Sequence, residues 1–406
     1  MQEIDILIKN AAEIVTMKGP NRPRIKNEMS DIGIAKNGSI AIKDGLIFDL
    51  GKNLKYKAET VIDAKGKTVL PGFVDPHTHL VFSGSREFEL DWKLKGLSYI
   101  DIKKKGGGIS YTVEKTRKAS VKNLEDQARD RLDRMLLNGT TTIEAKSGYG
   151  LDTKSELKIL KVQNKLNESH PVDIVSTFLG AHAIPEDLSS KEYIDILIED
   201  MIPKAKKYAK FCDVFCEKGF FNNSESKRIL IEAKKHDMTP KIHADEITDT
   251  NGASLAAEVN AISAEHLLKI SKKGIKDMAE KGVIGVMLPG TPFSLMMKNY
   301  APARKMIDSG VPIALATDLN PNCYVENMQF IIQLACFNMN MTAAESICAA
   351  TFNAACSINM SESVGSIQIG KQADIIILDC PNHMFLPYHF GTNLVERVIK
   401  KGCIII

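Results

Sequence analysis

The pattern of apolar and polar positions divides the chain into three stretches. Over about the first 65 residues, short runs rich in β-branched residues alternate with turns: IDILIKNAAEIVT (4–16), SIAIKDGLIFDLG (39–51) and TVIDAKGKTVL (60–70). Such runs, bounded by Gly, Asn and Asp, predict strands, and none contains an amphipathic pattern of helical length. The C-terminal stretch behaves the same way in VGSIQIGKQADIIILD and VERVIKKGCIII. Neither end looks self-sufficient, so the two are expected to pair into one small β lobe.

The middle of the chain alternates short apolar runs with longer charged helical segments. Eight such runs stand out: 68–79, 140–148, 172–182, 211–217, 239–246, 260–267, 283–290 and 311–320. Continuous apolar runs separated by helices predict parallel strands buried on both faces, and eight of them predict a (β/α)8 TIM-like barrel. The reading is therefore an α/β chain in two parts. Residues 1–66 with 365–406 form a composite β-sandwich domain, and residues 67–364 form the barrel.

Composition narrows the functional classes. With 44% hydrophobic and 25% charged residues the chain is an ordinary globular protein, and 53 basic against 50 acidic residues leave a net charge of only +3. That balance gives no nucleic-acid footprint, and the cluster Lys204, Lys206, Lys207 lies among acids as a solvated face. No apolar run approaches the ~18 residues needed to cross a bilayer. Glu3 and Asp5 stand where a signal peptide would carry positive charge. The eight cysteines are thinly spread in apolar segments, as reduced thiols of a cytoplasmic protein would be. Cys212 and Cys216 share one face of a run without a second pair at matching spacing, which favours buried thiols over structural zinc.

Polar residues gather at the C-terminal ends of the central runs, the face where such barrels build active sites. In PGFVDPHTHL, His77 and His79 are two apart on an extended segment, so both side chains point to one side. That spacing suits two imidazoles sharing one ion. His243, His266 and Asp318 end the fifth, sixth and eighth runs, and His182 ends the third. Burying so many polar groups unpaired at one barrel mouth would cost several kcal/mol.

This order, H-x-H on run one, His on runs five and six and Asp on run eight, resembles the amidohydrolase superfamily. The flanking segments DGLIFDLG and GSIQIGKQADIIILD match it as well. The resemblance implies hydrolysis of a C–N bond by a metal-activated water. Binuclear members carry a bridging lysine on the fourth strand; here the nearest is Lys218, just beyond the run, which favours one divalent metal per chain held by His77, His79, His243 and Asp318. Zinc and iron both suit such ligands.

Further segments, FSGSREFE, GGGISYTVEKTR, EAKSGYGL, FLGAHAIP, DVFCEKGFF, KIHADE, AEHL and TDLNP, are similar to one ring-opening branch of that superfamily. The branch opens 4-imidazolone-5-propanoate to N-formimidoyl-L-glutamate in histidine degradation. On that resemblance, the substrate is a small carboxylate-bearing heterocycle. Arg86 takes its carboxylate through the planar guanidinium fork, and Tyr149, His182, Glu246, Asn320, Asn322 and Cys323 complete the substrate site. His182 is expected to hydrogen-bond the ring carbonyl or help polarise it. Asp318 and His266 are the expected water-activating groups, with Glu246 at the substrate ring nitrogen or moving a proton. The loop departs from the branch at Asn322 and Cys323, where glycine and a small hydroxyl residue are usual. Two rivals remain: an amidohydrolase acting on another heterocycle, and a catalytically silent barrel serving as a binding module. No membrane or nucleic-acid partner is expected, and a homodimer is compatible with the sequence.

Overall fold

The computed structural model describes residues 2–97 and 99–406. Each of the eight central runs carries a parallel strand: Phe73–Thr78, Thr140–Lys146, Asp173–Ala181, Phe211–Cys216, Thr239–Ala244, Ser263–His266, Ile284–Met287 and Ile313–Leu315. Neighbours pair in chain order. Thr78 bridges Leu319, Asp318 N donates to His77 O at 3.1 Å, and His79 N donates to Leu319 O at 2.8 Å, which closes the barrel. Helices between the strands start at capping side chains. Ser120, Asp152, Asn222 and Ser271 each accept an amide proton from three residues ahead. Each cap contributes about 1 kcal/mol.

The run 68–79 is two strands rather than one. Thr68–Pro71 pairs with Glu3–Val15 and Ile375–Leu378, and only Phe73–Thr78 joins the barrel. The break is at Gly72, where an added Cβ would lie 2.3–2.9 Å from the Thr141 side chain. The chain passes between the two sheets at that point because glycine leaves room for Thr141.

Both termini build the second sheet, in the order Cys403–Ile404, Val395–Lys400, Ile375–Leu378, Thr68–Pro71, Glu3–Val15, Ile34–Lys43, Leu46–Gly51, with Lys57–Asp63 also beside Glu3–Val15. Its far strands fold back together: Ile47 N donates to Lys371 O and Ala373 N to Gly45 O, enclosing Ile8, Ile40, Ile42, Ile375 and Ile399. Buried Lys400 ties this lobe to the barrel, 2.6 Å from Asp374 and 2.7 Å from Asp173 at the start of the third barrel strand. The lobe thus docks at the end opposite the strand C-termini. Among the described residues, no helix is long and apolar enough to cross a membrane.

Candidate metal centre and reaction cavity

Strand ends bring His77, His79 and His243 together, with ligand nitrogens all within 4.8 Å of one another. Asp318 Oδ1 lies 3.4 Å from His77 Nε2 and 3.7 Å from His79 Nε2. Ligands ~2.0–2.1 Å from one tetrahedral ion stand about 3.4 Å apart, so this spacing fits a single metal. Both ring nitrogens of His77 and His243 are buried without an in-line hydrogen-bond partner. Asp318 sits in the left-handed region at φ 54°, and His266 at φ 71°. Such conformations cost roughly 1–3 kcal/mol and cluster at functional sites.

Beneath the histidines lies a layer of buried charge. His77 Nδ1 contacts the Glu265 carboxylate, and His243 Nδ1 lies 2.9 Å from Asp213 Oδ2. Lys146 Nζ sits 2.7, 2.8 and 2.9 Å from Glu144, Asp213 and Glu265, and Lys241 contacts Glu144 and, at 3.2 Å, Glu265. Three carboxylates against two ammoniums leave one negative charge, and Asp318 adds another. A divalent cation balances both. Without it, His77 is pushed up to about 9: burial opposes its charge, but Glu265 and Asp318 outweigh burial.

The remaining groups line a cavity of about 230 Å³ with His79, His243 and Asp318: Arg86, Tyr149, His182, Glu246, His266, Thr291, Asn320 and Asn322, with Phe215, Phe220 and Ile247 as apolar wall. His266 is pushed down to about 3 by burial, and its Nε2 is 3.6 Å from Glu246. Glu246 is pushed up to about 8, first by burial and then by the Asp318 charge. At neutral pH the imidazole is therefore neutral and Glu246 keeps its proton. His266 and His182 thus meet at one cavity, as their run-end positions suggested, together with Tyr149 from the glycine-flanked turn after the second run.

Four expectations change in detail. Arg86 does not present a free fork: its Nε and Nη2 donate to the two oxygens of buried Glu89, both at 2.7 Å, so only its other edge faces a ligand. His182 Nδ1 donates to Gly148 O at 3.0 Å, and burial pushes the ring down to about 4. Its Nε2 is therefore an acceptor, suited to a ring N–H and not to a carbonyl oxygen. Asn320 donates to Asp318 O and accepts from the Asn322 and Cys323 amides, so it shapes the loop. Cys323 lines a neighbouring cavity instead; its thiol faces Thr317 O and is pushed up to about 12 by burial and the Asp318 charge.

The amidohydrolase family model matches residues 68–405. An imidazolonepropionase from Alkaliphilus metalliredigens is 49% identical over 99% of this chain and 98% of its own length, and one from Geobacillus kaustophilus is 48% identical with the same coverage. The chain belongs to the imidazolonepropionase family of amidohydrolases. Solved structures share its fold at lower identity. An adenosine deaminase from Xanthomonas campestris with bound zinc has a TM-score of 0.74 at 18% identity, covering 99% of this chain and 93% of that one. The atrazine chlorohydrolase TrzN from Arthrobacter aurescens complexed with zinc has a TM-score of 0.71 at 15%, covering 99% and 95%. A divalent metal accords with this family and with the ligand cluster.

Sequence reasoning missed residues that this family member assembles around the site, among them Asp213, Glu265, Lys146, Lys241 and Thr291. Thr291 Oγ1 donates to Asp318 Oδ2 at 2.5 Å and fixes the carboxylate. The other four carried a usable signal. Each is a charge inside an otherwise apolar run, and Glu144/Lys146 and Lys241/His243 are spaced by two, the period of one strand face.

Proposed function

We propose that the protein hydrolyses the ring C–N bond of 4-imidazolone-5-propanoate to give N-formimidoyl-L-glutamate, with His77, His79, His243 and Asp318 holding one divalent ion, zinc or iron. The observation that carries this reading is one cavity lined both by the metal-ligand cluster and by an arginine, in a chain about 48% identical to full-length imidazolonepropionases. A single ion is supported by Lys146, whose ammonium already fills the space between Asp213 and Glu265. When bound, the ion supplies Lewis acidity toward water and the ring carbonyl.

The chain's own groups do the rest. Neutral His266 takes the proton of the attacking water as it adds to the ring carbonyl carbon, and ionised Asp318, fixed by Thr291, orients that water. Glu246, in its protonated form, donates to a ring nitrogen. His182 Nε2 accepts a ring N–H. Tyr149, whose phenol burial holds protonated, donates to the substrate. As the C–N bond breaks, His266 returns its proton to the departing nitrogen. Arg86, clamped by Glu89, faces the propionate.

An amidohydrolase acting on an uncharged heterocycle would have no use for Arg86, and a silent barrel would have no use for the intact ligand set. We expect a homodimer, the commonest soluble assembly, to be read by sedimentation. Eight unpaired cysteines support a cytoplasmic location. The deciding experiment incubates purified, metal-loaded protein with freshly made 4-imidazolone-5-propanoate. Loss of its ultraviolet absorbance with formation of N-formimidoyl-L-glutamate is the result expected. Stable absorbance with full metal content would overturn the substrate.

A further inference from the structure

A second cation, Lys93, stands just outside the Arg86 side of the reaction cavity. Lys93, on the helix Phe88–Leu94, donates to Asn322 Oδ1 at 2.5 Å across 229 residues of sequence. Lysine is donor-only, so the amide oxygen must be the atom facing it, and the amide nitrogen lies on the opposite edge. Lys93 lines an outer cavity of about 730 Å³, whereas Asn322 and Arg86 line both that cavity and the reaction cavity. The two residues thus form the shared wall. Among the described residues, the Asn322 amide nitrogen has no protein acceptor, and Lys93 has no ion-pair partner. Glu89 is already engaged by Arg86 through both of its oxygens. Arg86, Lys93 and buried Glu89 sum to one net positive charge at this wall, which one substrate carboxylate balances; Glu87 also borders the outer cavity but is exposed to solvent.

We propose that Lys93 and Asn322 form the second arm of the carboxylate site. Lys93 holds the amide oxygen so that the Asn322 N–H₂ faces a carboxylate seated against the free edge of Arg86, and its ammonium supplies the unbalanced charge. The proposal rests on the propionate-bearing substrate proposed above. It also accounts for the loop departure at Asn322, because glycine at that position would give Lys93 nothing to hold. Lys93 is a positioning residue here and Asn322 a specificity-determining one.

The test compares wild type, Lys93→Met, Lys93→Arg, Asn322→Gly and the Lys93→Met/Asn322→Gly double variant, at matched metal content. Each is assayed with 4-imidazolone-5-propanoate and with the analogue whose propionate is replaced by methyl. Lys93→Met and Asn322→Gly should each raise KM for the propionate substrate by about tenfold, the scale of one charge-assisted hydrogen bond. The double variant should be little worse than either single one, and Lys93→Arg should restore most of the loss. KM for the methyl analogue should not change. A KM within twofold of wild type in either single variant, additive losses, or equal losses on both substrates would overturn the second arm. Failure of the wild type to turn over the propionate substrate would instead overturn the substrate reading and this inference with it.

Discussion

At the end of the cavity proposed to hold the metal, His77, His79, His243, His266 and Asp318 stand at barrel-strand ends and are each no more than 3% exposed. At the end we propose for the carboxylate, Arg86 and Asn322 stand on loops and Lys93 on a seven-residue helix, and all three border a second cavity. The first set rests on a closed layer of ion pairs, Lys146 with Glu144, Asp213 and Glu265, that fixes it before any ligand arrives. The second is held by pairwise contacts, Glu89 on Arg86 and Lys93 on Asn322. We read the difference as a division of labour. Chemistry needs ligands fixed to within a fraction of an ångström, which strands provide, whereas recognition of a flexible propionate can be set on loops.

The sharpest break between the two ends is His266→Ala. It should lower kcat by 10³-fold or more while most of the metal stays bound, as elemental analysis would show. Metal loss equal to that of His243→Ala would make His266 a ligand and erase the distinction between water activation and metal holding.

Next is the charge layer. Lys146→Met would leave three carboxylates facing one another with only Lys241 between them, and removing one member of a buried ionic cluster costs about 3–5 kcal/mol. Thermal unfolding should show that loss directly. A melting temperature unchanged within a degree or two would mean the layer is not what holds the metal end rigid.

A milder probe of the same layer is Asp213→Asn. Carboxylates behind metal-bound imidazoles are typically worth 10–100-fold in metal affinity, so metal competition with a chelator should show a loss of that size, with KM for substrate little changed. An equal effect on KM would mean that the two ends do not act separately.

The smallest effect is one of protonation. His77 is raised to about 9 without metal, so near pH 7 it holds a proton that an incoming ion must displace. Metal affinity should therefore rise with pH and level off above about 9. Calorimetry in buffers of different ionisation enthalpy should find about one proton released per ion at neutral pH. No release would contradict the charge state assigned to His77.

The same contrast explains what the sequence could reveal. Barrel strands are continuous apolar runs, and a histidine or aspartate at their ends breaks the pattern visibly, so His77, His79, His243, His266 and Asp318 were legible along with the barrel itself. Period-two charges inside those runs, such as Lys241 before His243, were legible in principle. The sharp turn at Gly72 was not, because its cause is a side chain 69 positions away, Thr141. Nor was the engagement of Arg86 by Glu89, since an i, i+3 pair at a helix start reads like any surface ion pair. Lys93 and Asn322 are joined only by the fold. The tautomer of His182 is set by the Gly148 carbonyl, which is a feature of backbone position alone.

The central claim is that the two ends act separately, the metal end on the ring and the Arg86 end on the carboxylate. It is tested most directly by kcat/KM for 4-imidazolone-5-propanoate relative to its methyl analogue, in wild type and in Arg86→Met at equal metal content. A guanidinium facing a carboxylate in a partly dry site is worth roughly 2–4 kcal/mol, or on the order of 10²-fold. Wild type should prefer the propionate substrate by about that factor, and Arg86→Met should lose most of the preference while turning over the methyl analogue as wild type does. A preference unchanged in Arg86→Met, or an equal loss on both substrates, would contradict the account.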